Sequence, residues 1–109
     1  MKRNGNMNGN MITINGKEYK AKKMNVKSTA YCGSQMTSTG GWAKVKRTIA
    51  VDPKVIPYGT KIYIPALNFI GVAEDCGGAI KGNKIDIFMS SYKECMTWGI
   101  KNIEIYILD

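Results

Sequence analysis

The sequence of 109 residues has no histidine, and its three cysteines form no CxxC pair. The composition therefore excludes histidine-based nucleophilic triads and histidine ligands, and it nearly excludes a structural zinc site. We expect no metal and no cofactor. Cys32, Cys76 and Cys95 are odd in number and widely spaced, which favours free thiols, although one disulfide stays open. Without a histidine to activate it, Cys76 is expected to be a small packing residue rather than a nucleophile.

Long apolar runs are also missing. No stretch reaches the roughly 18 residues that a membrane span requires, so we expect no span. Lys2 and Arg3 are not followed by the hydrophobic core of a secretory signal. Action outside a cell would then require another delivery route, such as that of a phage-encoded protein or of a cytoplasmic product that is released.

Acidic residues are scarce, and the net charge of +8 is uneven. Residues 1–27 hold seven basic groups and one acid, a net charge of +6, whereas residues 28–109 are nearly balanced at +2. Such an arm suits a polyanion such as nucleic acid, an anionic membrane or a bacterial wall, but a merely solvated arm explains it equally well. The body lacks a basic surface interleaved with aromatic residues, so we expect no nucleic-acid partner.

The order of polar and apolar residues predicts one small domain of mainly β structure. Residues 1–10 are rich in Asn and Gly and are expected to form a flexible polar tail, and residues 11–109 the single domain. Asn15-Gly16 between alternating segments predicts a hairpin over residues 11–23. Further alternating segments predict strands at 25–32, 48–51, 60–64, 69–75, 84–89 and 100–108.

One short helix is predicted. Ser91 and Glu94 have the spacing of a capping box, and Gly99 lies where a C-terminal cap belongs. The sequence thus predicts six or more short strands and one or two short helices, without the alternation of strands and helices of βαβ units. This favours a small β-barrel, because closure removes exposed strand edges.

Three of the four aspartates lie at strand ends or beside turns: Asp52, Asp75 and Asp86. Asp52 before Pro53 is equally explained as a turn former, and Asp75 as a cap for loop amides. Asp86 is different, because aspartate is unfavourable inside a strand and here stands between two isoleucines. Partial burial would raise its pKa, as a general acid at neutral pH requires.

Two segments carrying these aspartates, "TIAVDPKVIPYGTKIYI" and "AEDCGGAIKGNKIDIFM", resemble the three-aspartate (3D) domain of bacterial lytic transglycosylases of the membrane-bound lytic transglycosylase A type. The resemblance runs from about Thr29 to about Leu108. It implies a six-stranded double-psi β-barrel that cleaves the MurNAc–GlcNAc bond of peptidoglycan without water and leaves 1,6-anhydro ends. The expected partner is the peptidoglycan glycan strand, and the expected place of action is the bacterial cell wall.

Carried over by position, the resemblance makes Asp86 the catalytic acid, with Asp75 and Asp52 supporting the site. Cys76 departs from the family, in which threonine is common after the second aspartate. From residue type alone, Gly77 and Gly78 are expected to let the sugar approach the backbone, and Lys81 to meet a carboxylate of the substrate. Thr39, Tyr31, Tyr58 and Trp42 are further candidates for contact with the sugar.

Two alternatives remain at this point. A lysozyme-type hydrolase would use Asp75 or Asp52 to activate water and would give reducing ends. A non-catalytic module that binds the wall or has a structural role would have no need of a proton donor.

Overall fold

The structure, a computed structural model, describes residues 7–109 and contains eight strands and one α-helix in this range. The strands are β1 (Met7–Asn8), β2 (Met11–Ile14), β3 (Lys17–Tyr31), β4 (Thr48–Ala50), β5 (Lys61–Ile64), β6 (Phe69–Asp75), β7 (Lys84–Phe88) and β8 (Lys101–Leu108). The helix α1 (Tyr92–Trp98) lies between β7 and β8. No helix in this range is long and apolar enough to cross a membrane.

Six of the strands close into a ring. The order is β3-β7-β4-β6-β5-β8, and β8 pairs again with β3. The pairs β3–β7 and β4–β6 are parallel, and the other pairs of the ring are antiparallel. The predicted mainly β fold of six principal strands is confirmed, while the double-psi arrangement stays a prediction.

The interior of the ring is filled mainly by isoleucine. On β7, Ile85 and Ile87 are fully buried, whereas Asp86 between them is only partly covered. Side chains alternate between the two faces of a strand, so this pattern places Asp86 on the outer face of the ring. The same alternation buries Ile62 and Ile64 on β5.

The hairpin predicted over residues 11–23 is present as β2 and the first part of β3. Asn15 and Gly16 form its turn, with φ of 50° and 80°. Both values lie in the left-handed region that two-residue hairpin turns need and that Asn and Gly tolerate best. Ile12 and Ile14 pack in a second apolar cluster with Ala21, Tyr63, Tyr106 and Leu108.

Two boundaries differ from the sequence prediction. Met7 and Asn8 pair with β2, so residues 7–10 belong to the hairpin and not to a tail; residues 1–6 lie outside the described range. The segments 11–23 and 25–32 were predicted as separate pieces, but β3 runs without a break from Lys17 to Tyr31. It stays continuous because its successive parts pair with β2, β8 and β7.

Helix α1 has the predicted caps. The Ser91 hydroxyl accepts a hydrogen bond from the Glu94 amide, and Gly99 ends the helix with φ of 66°. The helix packs on β3, where the Trp98 indole donates to the Ser28 hydroxyl at 3.2 Å. Ser28 in turn donates to the Lys101 carbonyl at 2.9 Å, so one buried hydroxyl joins β3 to both ends of the α1–β8 connection.

Candidate active site

The candidate site lies on the outer face of the ring, where β6, β4 and β7 run side by side. Ala50 on β4 is the register partner of Asp75 on β6 and also of Asp86 on β7. Its neighbours Ile49 and Val51 belong to the interior cluster, so alternation puts Ala50 and its β7 partner Asp86 on the outer face. A register shift between Ile49 and Ala50 brings Asp75 level with Ala50, and the Tyr31 hydroxyl joins Asp75 to this face.

Asp86 is held by the strand beside it. The Thr29 hydroxyl, on β3 at the register position opposite, donates to Asp86 Oδ1 at 2.9 Å. Burial raises the pKa of Asp86 above its ordinary value, and the negative charge of Asp75 adds to this. The Thr29 hydrogen bond and the Lys84 ammonium oppose the increase but do not cancel it. Asp86 therefore has the electrostatic surroundings of a carboxylic acid that keeps its proton to higher pH.

Asp75 is held much more tightly and is 7% exposed. Its Oδ1 accepts three hydrogen bonds, from the Ser38 amide (3.0 Å), the Ser38 hydroxyl (3.0 Å) and the Cys76 amide (2.9 Å). Its Oδ2 accepts one more, from the Tyr31 hydroxyl at 3.0 Å. Four hydrogen bonds from three residues thus fix the position of this carboxylate.

Tyr31 donates to Asp75 from the same strand on which Thr29 donates to Asp86. It follows Thr29 by two residues on β3, so both side chains lie on the same face. The Tyr31 ring packs edge-on against Phe88 with centroids 5.3 Å apart, and its hydroxyl reaches Asp75. Burial and then the negative charge of Asp75 raise the pKa of Tyr31 far above its ordinary value. The hydroxyl therefore stays protonated and donates. The structure gives Tyr31 a positioning contact; contact with the sugar stays a prediction.

Asp52 does not join this pair. Its Oδ2 accepts from the Gly82 amide at 2.9 Å and its Oδ1 from the Lys54 amide at 3.0 Å. These bonds, that from Gly82 first, hold the pKa of Asp52 below its ordinary value. The carboxylate thus ties the Asp52-Pro53 turn to the glycine-rich loop at 77–83. This is the loop-capping role that the sequence left open for an aspartate at a turn.

The segment 33–47 is docked against β6. Besides Ser38, it is held by Thr39, whose amide and hydroxyl both donate to the Glu74 carbonyl (3.3 and 3.0 Å). The Glu74 carboxylate accepts from the Thr48 hydroxyl at 2.6 Å and pairs with Arg47 at 3.3 Å. The Thr39 side chain is therefore engaged in anchoring the loop, and its predicted contact with substrate stays untested.

The glycine-rich loop leaves room at its tip. A side chain at Gly78 would meet no atom within 4 Å, whereas one at Gly77 would approach the Ile80 side chain to 3.2 Å. Lys81 is exposed, and its charge lowers the pKa of both Asp52 and the Cys76 thiol. For Cys76, hydrogen bonds with Ser38 and Tyr58 are the larger causes of the lowered pKa.

Thr29 and Ser38 were missed by sequence reasoning. Thr29 had a readable signal, because the alternation Thr29-Ala30-Tyr31 puts both hydroxyls on one face of a strand. Ser38 had no such signal in the sequence. It lies in a turn-rich loop whose docking depends on Asp75, 37 residues away. Within residues 7–109 the three cysteines are free, and no group of three or more acidic or thiol side chains is arranged to hold a metal ion.

Comparison with known proteins identifies the family of the chain. The family model described as "3D domain" matches residues 47–109, more than half of the chain. The chain is 39% identical over 97 residues to the "Cell wall-binding protein YocH" of Bacillus subtilis, covering 82% of this chain and 33% of that protein. It is 39% identical over 106 residues to the "Putative cell wall shaping protein YabE" of the same organism, covering 90% and 26%.

Solved structures give the same fold. MltA from E. coli superposes with a TM-score of 0.55 at 24% identity, covering 69% of this chain and 27% of MltA. The lytic transglycosylase LtgG of Burkholderia pseudomallei gives 0.53 at 28% identity, covering 68% and 26%. MltA is also known with bound chitohexaose. This chain thus spans about a third or less of each of these proteins.

Proposed function

The chain belongs to the 3D domain family, and we propose that it is a peptidoglycan lytic transglycosylase. It cleaves the β-1,4 bond between MurNAc and GlcNAc without water and leaves a 1,6-anhydro-MurNAc end. The observation that carries the proposal is the half-buried Asp86 with a raised pKa, placed beside the anchored Asp75. The structural likeness to LtgG, a lytic transglycosylase, supports it.

Asp86 acts first as the acid. Cleavage of a glycosidic bond passes through an oxocarbenium-like transition state, and the leaving oxygen needs a proton. A carboxyl group whose pKa is raised by burial retains that proton nearer to neutral pH. The Thr29 hydroxyl donates to Oδ1, so Oδ2 is the oxygen that carries the proton toward the substrate.

Asp86 then acts as the base. Once the proton has left, the ionised carboxylate accepts the proton of the C6 hydroxyl of MurNAc as that oxygen attacks the anomeric carbon. The proton count balances, because the carboxyl group loses one proton to the leaving group and regains one from the C6 hydroxyl. No second carboxylate is required as a nucleophile.

Asp75 supplies a fixed negative charge. Its hydrogen bonds with Tyr31, Ser38 and Cys76 hold it in place. A fixed carboxylate favours the positive charge that develops at the anomeric carbon, and by like-charge repulsion it helps to keep Asp86 protonated. Asp52 supports the site indirectly, by fixing the glycine-rich loop through Gly82.

The glycine-rich loop and the lysine beside it are the proposed substrate contacts. Gly78 has open space where a side chain would stand, which lets a sugar approach the backbone. Lys81, exposed at the same loop, is placed to meet a carboxylate of the lactyl group or the stem peptide. Thr39 and Gly77 remain in the proposed set at the edge of this site.

Two relatives are named as a cell wall-binding and a putative cell wall shaping protein, and these names favour a second candidate, a non-catalytic module that binds the wall. A binding module does not need the proton donor at Asp86, and this distinguishes the two functions experimentally.

The test is mass spectrometry of purified peptidoglycan after digestion with the wild type, with Asp86→Asn and with Glu104→Gln. The last is a matched control, since it removes one acidic charge from an exposed ion pair with Lys23. We expect anhydro-muropeptides from the wild type and the control but none from Asp86→Asn. Reducing-end products would instead indicate a hydrolase. Wall binding without soluble product from any of the three proteins would support the binding module.

A further inference from the structure

The hairpin that lies outside the ring, together with the strand that continues it, carries half of the excess positive charge. Within residues 7–27 there are five lysines and one acid, Glu18, a net charge of +4 out of +8, and all five lysines are on β3 and exposed. Four of them, Lys17, Lys20, Lys22 and Lys23, line two grooves. We call these four the hairpin lysines.

Two grooves run beside the hairpin lysines. One, of about 560 Å³, is lined by Lys22 and Lys23 together with Met24, Asn25, the 55–57 turn, Asn83 and Ile107, and it contains no acidic side chain. The other, of about 740 Å³, is lined by Lys17, Lys20 and Lys61 with the aromatic rings of Tyr19 and Tyr58. Glu18 and Asp109 also line the second groove, so the excess of positive charge is greater in the first groove, at Lys22 and Lys23.

These charges are largely unneutralised. Among residues 7–109, Lys20 and Lys22 form no ion pair, and Lys23 has one exposed pair with Glu104 at 3.7 Å. Lys17 lies over the Tyr19 ring at 5.1 Å, a contact that leaves its charge in place. An exposed ion pair is weak and readily exchanged, so Lys23 remains available to an external anion.

The hairpin is a fixed support and not a loose arm. Ile12 and Ile14 are buried against Tyr63 and Tyr106 of the ring, and the Ala21–Leu108 pair continues the sheet into β8. Lys20 and Lys22 lie on one face of β3, roughly 6.6 Å apart along the strand. Lys20 and Lys22 therefore present two charges with a set spacing, while Lys17 and Lys23 lie on the other face of β3 beside the same two grooves.

We propose that the hairpin lysines and their two grooves bind a phosphodiester-linked anionic polymer of the cell wall. The choice of a wall polymer rests on the proposed function, which places the protein at the wall. Each ammonium group is a compact charge with three donors, which suits phosphate oxygens without demanding a fixed orientation. A polymer with one negative charge per repeat can pair its phosphates with spaced lysines. The sugar rings of a glycan would leave the ammonium groups without a counter-charge.

The hairpin lysines and their two grooves form a surface separate from the candidate site at Asp75 and Asp86. The hairpin lysines contact neither Asp75 nor Asp86, and Tyr58 is the residue that reaches from the second groove toward Cys76. Polymer binding would hold the protein on the wall while the candidate site acts on the glycan.

The test measures co-sedimentation with purified walls that carry such a polymer. Half of the walls are treated with hydrofluoric acid, which cleaves phosphodiesters and leaves the glycan and peptide. All proteins carry Asp86→Asn so that the walls are not degraded. The hairpin variant combines Lys17→Gln, Lys20→Gln and Lys22→Gln. The control variant combines Lys44→Gln, Lys46→Gln and Lys93→Gln, which removes the same charge from exposed positions elsewhere.

We expect the hairpin variant to bind untreated walls at least about 10-fold more weakly, and the control to change less than about 2-fold. Binding with intact lysines should fall roughly 20-fold between 50 and 200 mM salt if three phosphates are contacted, and the hairpin variant should lose most of that dependence. Equal binding to treated and untreated walls, or equal losses in both variants, would overturn the proposal.

Nucleic acid is tested in the same way. Tighter binding to a DNA oligonucleotide than to the wall polymer, at equal phosphate concentration, would overturn the assignment of the partner. This experiment measures binding alone, so its result does not depend on the proposed lyase activity. A failure of that activity is detected separately, by the muropeptide products.

Discussion

Asp75 and Asp86 flank the same residue, since each is the register partner of Ala50 from an opposite side of β4. The two Cα atoms are therefore two strand spacings apart, roughly 9.6 Å. Their surroundings differ sharply: Asp75 accepts four hydrogen bonds, whereas the hydrogen bond from Thr29 is the principal support of Asp86. The two carboxylates on one surface thus differ: the donors around Asp75 fix its position, whereas burial raises the pKa of Asp86.

Asp86→Asn is expected to stabilise the protein at neutral pH. A carboxyl with a raised pKa in the folded state binds more protons folded than unfolded, so stability falls as pH rises from about 4, the unfolded value, through the folded pKa. The variant avoids this loss, and its amide oxygen still accepts from Thr29. After allowance for solvent screening at this half-exposed group, the gain is below about 1 kcal/mol, or a few degrees in Tm.

Thermal unfolding at pH 3 and pH 7 checks this prediction, with Glu104→Gln as the control. The difference in Tm between Asp86→Asn and the wild type should be positive at pH 7 and vanish at pH 3. A difference that is the same at both pH values would show that Asp86 titrates normally.

Tyr31→Phe is expected to loosen Asp75 while the ring stays packed on Phe88. Loss of one hydrogen bond to a charged group lowers stability by about 1–2 kcal/mol. Displacement of Asp75 lowers the rate of product formation on the order of 10-fold to 100-fold. Tyr92→Phe, at a position that is 71% exposed, is the control and should change neither quantity. Activity unchanged in Tyr31→Phe would remove Tyr31 from the positioning role.

Asp52→Asn is expected to weaken the attachment of the glycine-rich loop in a pH-dependent way. Since the pKa of Asp52 is lowered in the folded state, its contribution to stability is present above about pH 4 and is lost as pH falls through the folded pKa. The Tm of the variant should lie below that of the wild type at pH 7, and the gap should narrow as pH falls below about 4. A constant gap over this range would argue that the hydrogen bonds with Gly82 and Lys54 do not depend on the charge.

Gly71→Ala is expected to destabilise the ring by about 1–3 kcal/mol through overpacking. A Cβ atom at this position would come within 2.5 Å of Ile49 Cδ1 and 2.8 Å of the Arg47 carbonyl oxygen. Gly78→Ala is the matched control, because nothing lies within 4 Å of the added carbon, and it should change stability by less than about 0.5 kcal/mol. Urea denaturation measures both. Similar losses in the two variants would argue against the contact with Ile49 as the cause.

The strands of the ring could be predicted because their interior faces are marked by isoleucine at every second position, as in β7 and β8. The continuity of β3 could not, since its middle carries the run Ala21-Lys22-Lys23-Met24-Asn25, which looks like a break. Pairing with β8, more than 75 residues away in sequence, keeps this part extended. Local patterns contain no information about such distant partners.

The candidate site was predicted unevenly for a similar reason. The unfavourable position of an aspartate between Ile85 and Ile87 could be read directly, and the structure shows it on the outer face. The different tasks of Asp52 and Asp75 could not be read, because a turn former explained Asp52, and a cap for loop amides explained Asp75, as well as a place in the site did. Only the donors that surround them, Gly82 for Asp52 and Tyr31 for Asp75, separate the two.

Closure of the ring has a consequence for synthesis on the ribosome. Ala21 pairs with Leu108, so the β3–β8 seam joins residues 87 positions apart. Until Lys101–Leu108 has emerged, β3 and β5 both keep an unpaired edge, of the kind that recruits other chains. Contacts of such long range also make folding slow. The growing chain therefore has to be kept from aggregation for most of its translation, and the lysines of β3 are well placed to discourage edge-to-edge association during that interval.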